Sequence, residues 1–463
     1  MKKNTFGLLL SLGLFNMMSQ AQTSLSFSLS TISTGYLVSD IKFEDVNNDS
    51  KPDAVGTSFS TGGVYVNLAN SSGSFNSPDS YSGLSRGEYL ALIDYDSDGF
   101  KDVFISGCPT INTNPSYIAV LKGSASGFAA PIGYSMTATG NRILQAADAD
   151  GDGKDDLIAA EYPNNLIGAG TSKISVYITP GNGTIQFPVN YPLTAAPTDF
   201  IVSDVNGDSK LDIVACSFQS SKAIIMLNIG NGYGSAQYIT VCTNPIGVGT
   251  GDFDNDGNVD VVVGNSSGDY TVLMGSGGGS FTSLGNSSNY NTADYPVAAD
   301  FDGDGILDLA FGSDVYSPGD GIEIALGNGD GTFTSRGSLE YNGFSRKLHV
   351  LDVNNDGKMD IVGNSNNELI VLLNTTTVET TGISENLAAE KISIHRIQNE
   401  YSINTSAECQ FDLVDISGKL IFSKPKANSF EFSCAGLSEG IYIFRFTGSN
   451  GIQSKKIHIR SSE

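Results

Sequence analysis

The sequence predicts an all-β protein: a seven-bladed β-propeller closed by an N-terminal strand, followed by a small β-sandwich. One acidic pattern, D-x-[DN]-x-D-x-x-x-D, begins at Asp45, Asp94, Asp148, Asp204, Asp252, Asp300 and Asp352, at intervals of 49, 54, 56, 48, 48 and 52 residues. That is the spacing of a repeated structural unit rather than of a chance motif. Apolar strands flank each copy. The 463 residues include 54 Gly, 24 Phe, 19 Tyr and no Trp, a balance suited to many short strands joined by tight turns.

Each repeat reads in the same order. A strand such as Tyr89–Ile93 leads into the acidic loop, a second such as Val103–Ile105 leaves it, and a third such as Ile118–Leu121 follows. A Gly/Asn/Ser turn then reaches a fourth strand near an aromatic residue, clearest from Ile322 through Gly327-Asn328-Gly329-Asp330-Gly331-Thr332-Phe333. Four antiparallel strands make one propeller blade. After the seventh loop the chain offers Ile361-Val362 and Leu369–Leu373 but no fourth strand, whereas Leu25–Leu29 stands spare at the other end. The N-terminal strand is therefore expected to complete the last blade, which removes the edges an open sheet would expose.

Residues 1–21 read as a signal peptide: Lys2 and Lys3 precede the apolar run Phe6–Leu14, and Ser19-Gln20-Ala21 supplies a cleavage site. That run is too short to span a membrane, and no other segment qualifies. The propeller is assigned to residues 22–375, an exposed linker rich in Thr to 376–388, and the sandwich, with strands at Gln410–Asp415 and Gly440–Phe446, to 389–463. Five cysteines leave at least one unpaired. Cys216 with Cys242 and Cys409 with Cys434 are the candidate bridges, with Cys108 left over, and buried thiols are the alternative.

The loops offer only oxygen ligands. Positions 1, 3, 5, 7 and 9 are Asp45, Asn47, Asp49, Lys51 and Asp53 in the first loop and Asp94, Asp96, Asp98, Phe100 and Asp102 in the second. Asp148, Asp150, Asp152, Lys154 and Asp156 form the third set, and Asp204, Asn206, Asp208, Lys210 and Asp212 the fourth. Asp252, Asp254, Asp256, Asn258 and Asp260 follow, then Asp300, Asp302, Asp304, Ile306 and Asp308, then Asp352, Asn354, Asp356, Lys358 and Asp360. Position 7 would contribute its backbone carbonyl, and a sixth-position Gly allows the sharp turn. Ser50 and Ser209 replace that Gly in the first and fourth loops. Hard oxygens in irregular array suit Ca²⁺, up to seven ions, better than Mg²⁺ or Zn²⁺. A formal charge of −25 disfavours nucleic acid and anionic lipid as partners.

The D-x-[DN]-x-D-G-x-x-D-[LIV] loops and G-N-G-D-G-T-F turns resemble the FG-GAP or VCBS-like family of calcium-loaded seven-bladed propellers, an architecture shared with the integrin α head. The resemblance spans about residues 22–375. It implies fold and Ca²⁺ but leaves function open, because related propellers include adhesins, carbohydrate-binding modules and polysaccharide lyases. Asp415-Ile416-Ser417-Gly418-Lys419-Leu420-Ile421, Leu437–Tyr442 and the basic end Lys455–Arg460 resemble the C-terminal sorting domain of the type IX secretion system. That resemblance implies export through periplasm and outer membrane, with the secretion machinery as partner.

Catalytic motifs are sparse. Of three His, only His349 falls in the propeller, where a strand-facing core role is expected. Arg86, Arg142 and Arg346, with Tyr81 and Tyr341, recur at equivalent repeat positions and would gather at the channel mouth opposite the acidic loops. They would suit an anionic glycan or a peptide carboxylate, or else form structural turns with local ion pairs. The long loops Cys108–Tyr117, Tyr162–Ser172 and Gly312–Gly321 also suit sugar recognition. A secreted or surface-bound module that binds glycan or protein without catalysis is the leading expectation. An extracellular polysaccharide lyase or hydrolase and a structural surface component are the alternatives.

Overall fold

The computed structural model describes residues 25–459 except 59, 71–72, 83–86, 108–116, 136–140, 163–171, 289, 314–320, 340–346, 366, 377–391, 398–399, 416–418, 434–436, 438–439 and 449–450. The leader and nearly all of the linker expected from the sequence lie outside these residues. The described structure is all-β. It divides into two compact units, residues 23–378 and 379–463.

Among the described residues the larger unit has seven four-stranded antiparallel sheets. Their first strands, in chain order, are Asp40–Glu44, Tyr89–Ile93, Asn141–Ala147, Asp199–Ser203, Gly247–Gly251, Asp294–Ala299 and Leu348–Leu351. Within the first six sheets the strands follow sequence order. In the fifth sheet Gly247–Gly251 pairs with Asp260–Gly264, then Asp269–Gly275, then Phe281–Ser288. Middle strands are continuous apolar runs because both faces are covered: Asp260–Gly264 is buried throughout. Fourth strands are largely exposed, as in Phe281–Ser288, and carry Ser, Thr and Asn.

The seventh sheet draws on both ends of the unit. Leu348–Leu351, Asp360–Ser365 and Glu368–Asn374 supply three strands, and Phe27–Ser33 pairs along Glu368–Asn374 as the fourth. Thr375 N–H donates to the Ser26 carbonyl at 2.9 Å, and Ser26 N–H to Thr376 Oγ1 at 3.1 Å. Apolar clusters fill the space between each sheet and the next, from first-to-second through sixth-to-seventh. One more cluster joins Ile41, Ala54 and Phe75 of the first repeat to Val353, Val362 and Leu369 of the seventh.

A second set of contacts ties the repeats together. The turn before a fourth strand donates an N–H to the acidic loop of the preceding repeat: Gly183 to Tyr95 O, Gly232 to Ala149 O, Gly278 to Asn206 O and Gly331 to Phe253 O, at 3.0 to 3.2 Å. Gly331 has φ +78°, and a Cβ there would collide with Met274. Glycine is required by conformation and by space.

In the smaller unit the five described strands are joined by hydrogen bonds into one continuous antiparallel ladder. The reason is Glu400–Asp415, whose first half pairs with Ile392–Ile397 and whose second half pairs with Gly440–Gly448, while Leu420–Ser433 runs along both. Register shifts between Asn404 and Cys409 mark the change. Alternate residues build an aromatic core in which Phe411 touches Phe422, Phe430, Phe432, Phe444 and Phe446. Cys409 is buried in that core, and Cys434 lies outside the described residues. Cys216 and Cys242 are free and buried, so the bridge offered between them does not form.

Deleting residues 22–33 should lower unfolding stability by about 3 kcal/mol, the net of several lost ladder bonds against regained chain freedom. A peptide spanning residues 25–33 added in trans should restore part of it. An unchanged urea midpoint for the truncated chain would show that the strand does not brace the seventh sheet.

Candidate functional site

Each acidic loop leaves the end of a first strand, and its ninth-position Asp is the opening residue of the second strand. Asp53, Asp102, Asp156, Asp212, Asp260, Asp308 and Asp360 are all fully buried or nearly so. Each accepts two backbone hydrogen bonds. In the fifth loop Asp260 Oδ2 takes the N–H of Phe253, at position 2, at 2.8 Å, and Oδ1 takes the N–H of Gly275, at the end of the third strand, at 2.7 Å. The same pair of bonds recurs in every loop, the second donor being Ala69, Gly123, Thr179, Asn228, Gly327 or Asn374 in the others. Burial pushes these carboxyls up against that support: Asp102, Asp156 and Asp308 to about 7, and Asp53 and Asp260 to about 6. Asp212 and Asp360 shift upward for the same reason.

The rest of the loop folds back on its first carboxylate. Asp252 Oδ1 accepts the N–H of Asp256 and Oδ2 that of Gly257, and Asp256 Oδ1 accepts the N–H of Asn258. Positions 4 and 6 are left-handed in all seven copies, Asn255 and Gly257 here, with φ 57° and 88°. Ser50 and Ser209 adopt φ 66° at position 6, so the two loops lacking Gly keep the same path.

This folding converges the side chains. Asp94, Asp96 and Asp102 each place an oxygen within 4.8 Å of the others, as do Asp148, Asp150 and Asp156, Asp252, Asp254 and Asp260, and Asp300, Asp302 and Asp304. The first, fourth and seventh loops carry the amides Asn47, Asn206 and Asn354 at position 3 in place of a carboxylate. Asp96 Oδ1 is buried without a partner. An all-oxygen set with an unsatisfied buried acceptor fits a hard divalent cation. Lysines partly neutralise the acids: Lys51 lies 3.0 Å from Asp49, Lys210 2.8 Å from Asp208, Lys154 3.9 Å from Asp152, and Lys122 against Asp96. These exposed pairs are worth little.

The basic residues expected at the opposite mouth are mostly beyond description: Arg86, Arg346 and Tyr341 lie outside the described residues, and so do 108–116, 163–171 and 314–320. Arg142 occupies the first strand of the third sheet, opposite Glu161, and its side chain is likewise not described. Tyr81 closes the outermost strand of the first sheet, where its ring meets Phe128 edge-on at 5.4 Å. It packs between repeats, away from the first strands. His349 lies on a first strand, 5.0 Å from the Phe43 ring, with its Nε2 buried and unpaired. Burial, with Lys42 and Lys347 nearby, pulls its imidazole down to about 3.

Two outcomes are expected. Asp260→Ala should cost about 3 kcal/mol even in chelator, by stranding two buried N–H groups, whereas Asp254→Ala should lower the unfolding midpoint only when a divalent cation is supplied. Equal losses in chelator would refute the division between anchoring and ion-facing carboxylates. The His349 ring C–H resonances should not titrate between pH 8 and 4.5, and an inflection near the ordinary histidine value, about 6.5, would contradict the buried neutral ring.

Comparison with known proteins is consistent with these repeats. A model of the FG-GAP-like repeat matches residues 45–105, 148–215, 204–263, 252–311 and 313–363, more than half of the chain. A secretion system C-terminal sorting domain matches residues 388–460. The fold is similar to that of a solved structure, BBS1N in complex with ARL6DN, soaked with mercury, at 8% identity and a TM-score of 0.51, covering 75% of this chain and 96% of that one. At that identity the likeness speaks for fold alone. No curated protein matches the chain. The sorting domain makes the type IX secretion machinery a partner and directs the protein to the cell surface or beyond it, and no helix among the described residues is long and apolar enough to cross a membrane. A buried aspartate on two N–H groups, repeated at each turn of the sequence, is the local form of a known repeat, and the chain belongs to the FG-GAP-like repeat family.

Proposed function

We propose that the seven sheets are the blades of a closed propeller, that each acidic loop holds one Ca²⁺, and that the protein is a noncatalytic binding or adhesion module for an extracellular glycan or protein. The observation that carries this reading is the sameness of the loops: seven copies share one backbone path and one buried anchor, and in four of them three carboxylates each place an oxygen within 4.8 Å of the others. In the fifth loop Asp252, Asp254, Asp256 and Asp260 and the Asn258 carbonyl would hold the ion, with the corresponding residues doing so in the other six. Bound Ca²⁺ supplies positive charge that keeps these acids ionised and links the loop to its strands. Residues 1–21 would act as the leader and 376–388 as the linker to the sorting domain at 389–463.

Charge supports the same conclusion. Loss of Lys2 and Lys3 with the leader takes the formal charge from −25 to −27, and seven Ca²⁺ ions bring it to −13. Without them, crowded carboxylates repel one another. Full chelation should therefore lower the thermal midpoint and open the mature chain to protease, and metal analysis of the native protein should approach seven calcium ions. Screening against extracellular polysaccharides should show retention without turnover. Protease resistance unchanged by chelation would sink the calcium scaffold, and release of unsaturated oligosaccharides from a polyuronate would replace the binding module with a lyase.

A further inference from the structure

First strands of six sheets, together with the residue preceding the seventh sheet, enclose a cavity of about 370 Å³. Its polar lining comes from Lys42, Gln145, Asp199, Thr250, Lys347 and His349, and its apolar lining includes Val202, Val248 and Val297. The volume falls within the roughly 300–1,000 Å³ of small-molecule sites. Each first strand is hydrogen-bonded along one edge only, so its other edge adds peptide groups to the wall.

The charges in this cavity are unequally partnered. Lys347 Nζ reaches from the seventh repeat to Asp199 Oδ1 of the fourth sheet at 3.2 Å, and lies 5.8 Å from the Tyr89 ring. Burial opposes its charge, but Asp199 and Asp40 hold its proton more tightly than usual. Asp40 Oδ2 accepts the N–H of Leu90 at 3.0 Å. Lys42 differs. Its ammonium donates to Gln145 Oε1 at 3.1 Å, and Gln145 is in turn fixed by donating to the Phe200 carbonyl at 3.0 Å. That partner is neutral, and among the described residues no carboxylate lies within ion-pair distance of Lys42. Two of its N–H donors remain for another group. Burial pulls the Lys42 ammonium below the ordinary lysine value, with Asp40 opposing. On the same wall His349 Nε2 has no partner, and in a neutral ring an unprotonated nitrogen accepts a hydrogen bond.

An ammonium with no ion-pair partner and an imidazole acceptor with no donor among the described residues, on two residues that line one cavity, call for a ligand bearing both a carboxylate and a hydroxyl. We propose that this cavity binds a sugar acid, a single uronate unit, with its carboxylate on Lys42 and one hydroxyl donating to His349 Nε2. The Lys347–Asp199 pair bounds the site and stays paired, while the valines cover the less polar face of the ring. The proposal rests on the binding-module reading and names its ligand class.

The test is calorimetric titration of the calcium-loaded mature protein with galacturonate, glucuronate and their neutral parent sugars, alongside a short oligouronate. Saturable binding of one uronate per chain is expected, with neutral sugars weaker by about tenfold or more, since a hydrogen bond to a charged group is lost. Lys42→Met should weaken uronate by about ten- to a hundredfold on the same grounds. Uronate should also shift the His349 Nε2 nitrogen resonance of the wild-type protein, a readout that stands if Lys42→Met fails to fold. Affinity for the oligomer but not the monomer would place the ligand as a polymer end and overturn the single-unit assignment. Absence of binding in wild type, or equal binding by a folded Lys42→Met, overturns the site. Calcium content and unfolding midpoint measured on the same sample separate this failure from failure of the calcium scaffold, and retention of a neutral polysaccharide alone would leave the binding module but refute the uronate.

Discussion

A buried carboxylate holding two peptide N–H groups is the interaction on which the larger unit depends. The Asp that opens each second strand bonds backward to the start of its own loop and sideways to the end of the third strand, so one side chain joins two strands and the loop. Burying a carboxylate is costly, and its upward shift measures that cost. The two bonds offset part of it, and a cation offsets more. The loop geometry that gathers these oxygens is thus a by-product of closing the sheet: with the ninth residue fixed, the first carboxylate folds inward over the N–H groups of positions 5 and 6.

Much of this was legible in the sequence because it is local and periodic. Spacing gave the repeats, and alternation and apolar runs gave the strand order. A missing strand after Leu373 matched a spare one near Leu25, and the two do pair. The aspartates were legible as a set but not by role, since position 9 reads as one more ligand until its two N–H partners are known. Ser50 and Ser209 looked like departures because sequence reports residue preference, whereas the surrounding hydrogen bonds impose the left-handed turn on whatever side chain is there.

Contacts between repeats were not legible. A Gly/Asn/Ser turn before each fourth strand was readable, yet the N–H groups of Gly183, Gly232, Gly278 and Gly331 serve the loop of the preceding repeat, 72 to 88 residues away, with no pattern linking the two. Tyr81 shared a motif with Tyr341, but it closes an outer strand, where its ring meets Phe128 of the next repeat. Lys42 gave no signal at all, and His349 was readable only as a strand-facing core residue, because both are single polar residues on first strands of different repeats. The smaller unit shows another limit: its aromatic alternation was readable, but a strand long enough to serve both halves of a sheet looks in sequence like two short ones.

The seventh sheet carries a consequence for the order in which the molecule can be made. Ser26 and Thr376, hydrogen-bonded to each other, are 350 residues apart. A chain emerging from its N-terminus can complete six sheets with strands already at hand, yet must hold its earliest strand without a partner until nearly all the rest exists. An unpaired β-edge is a hazard over such a wait. The segment is Phe27-Ser28-Leu29-Ser30-Thr31-Ile32-Ser33, more than half of it Ser or Thr and mostly solvent-facing even when paired, a composition that keeps a waiting edge soluble and leaves its pairing to the one strand whose register it fits.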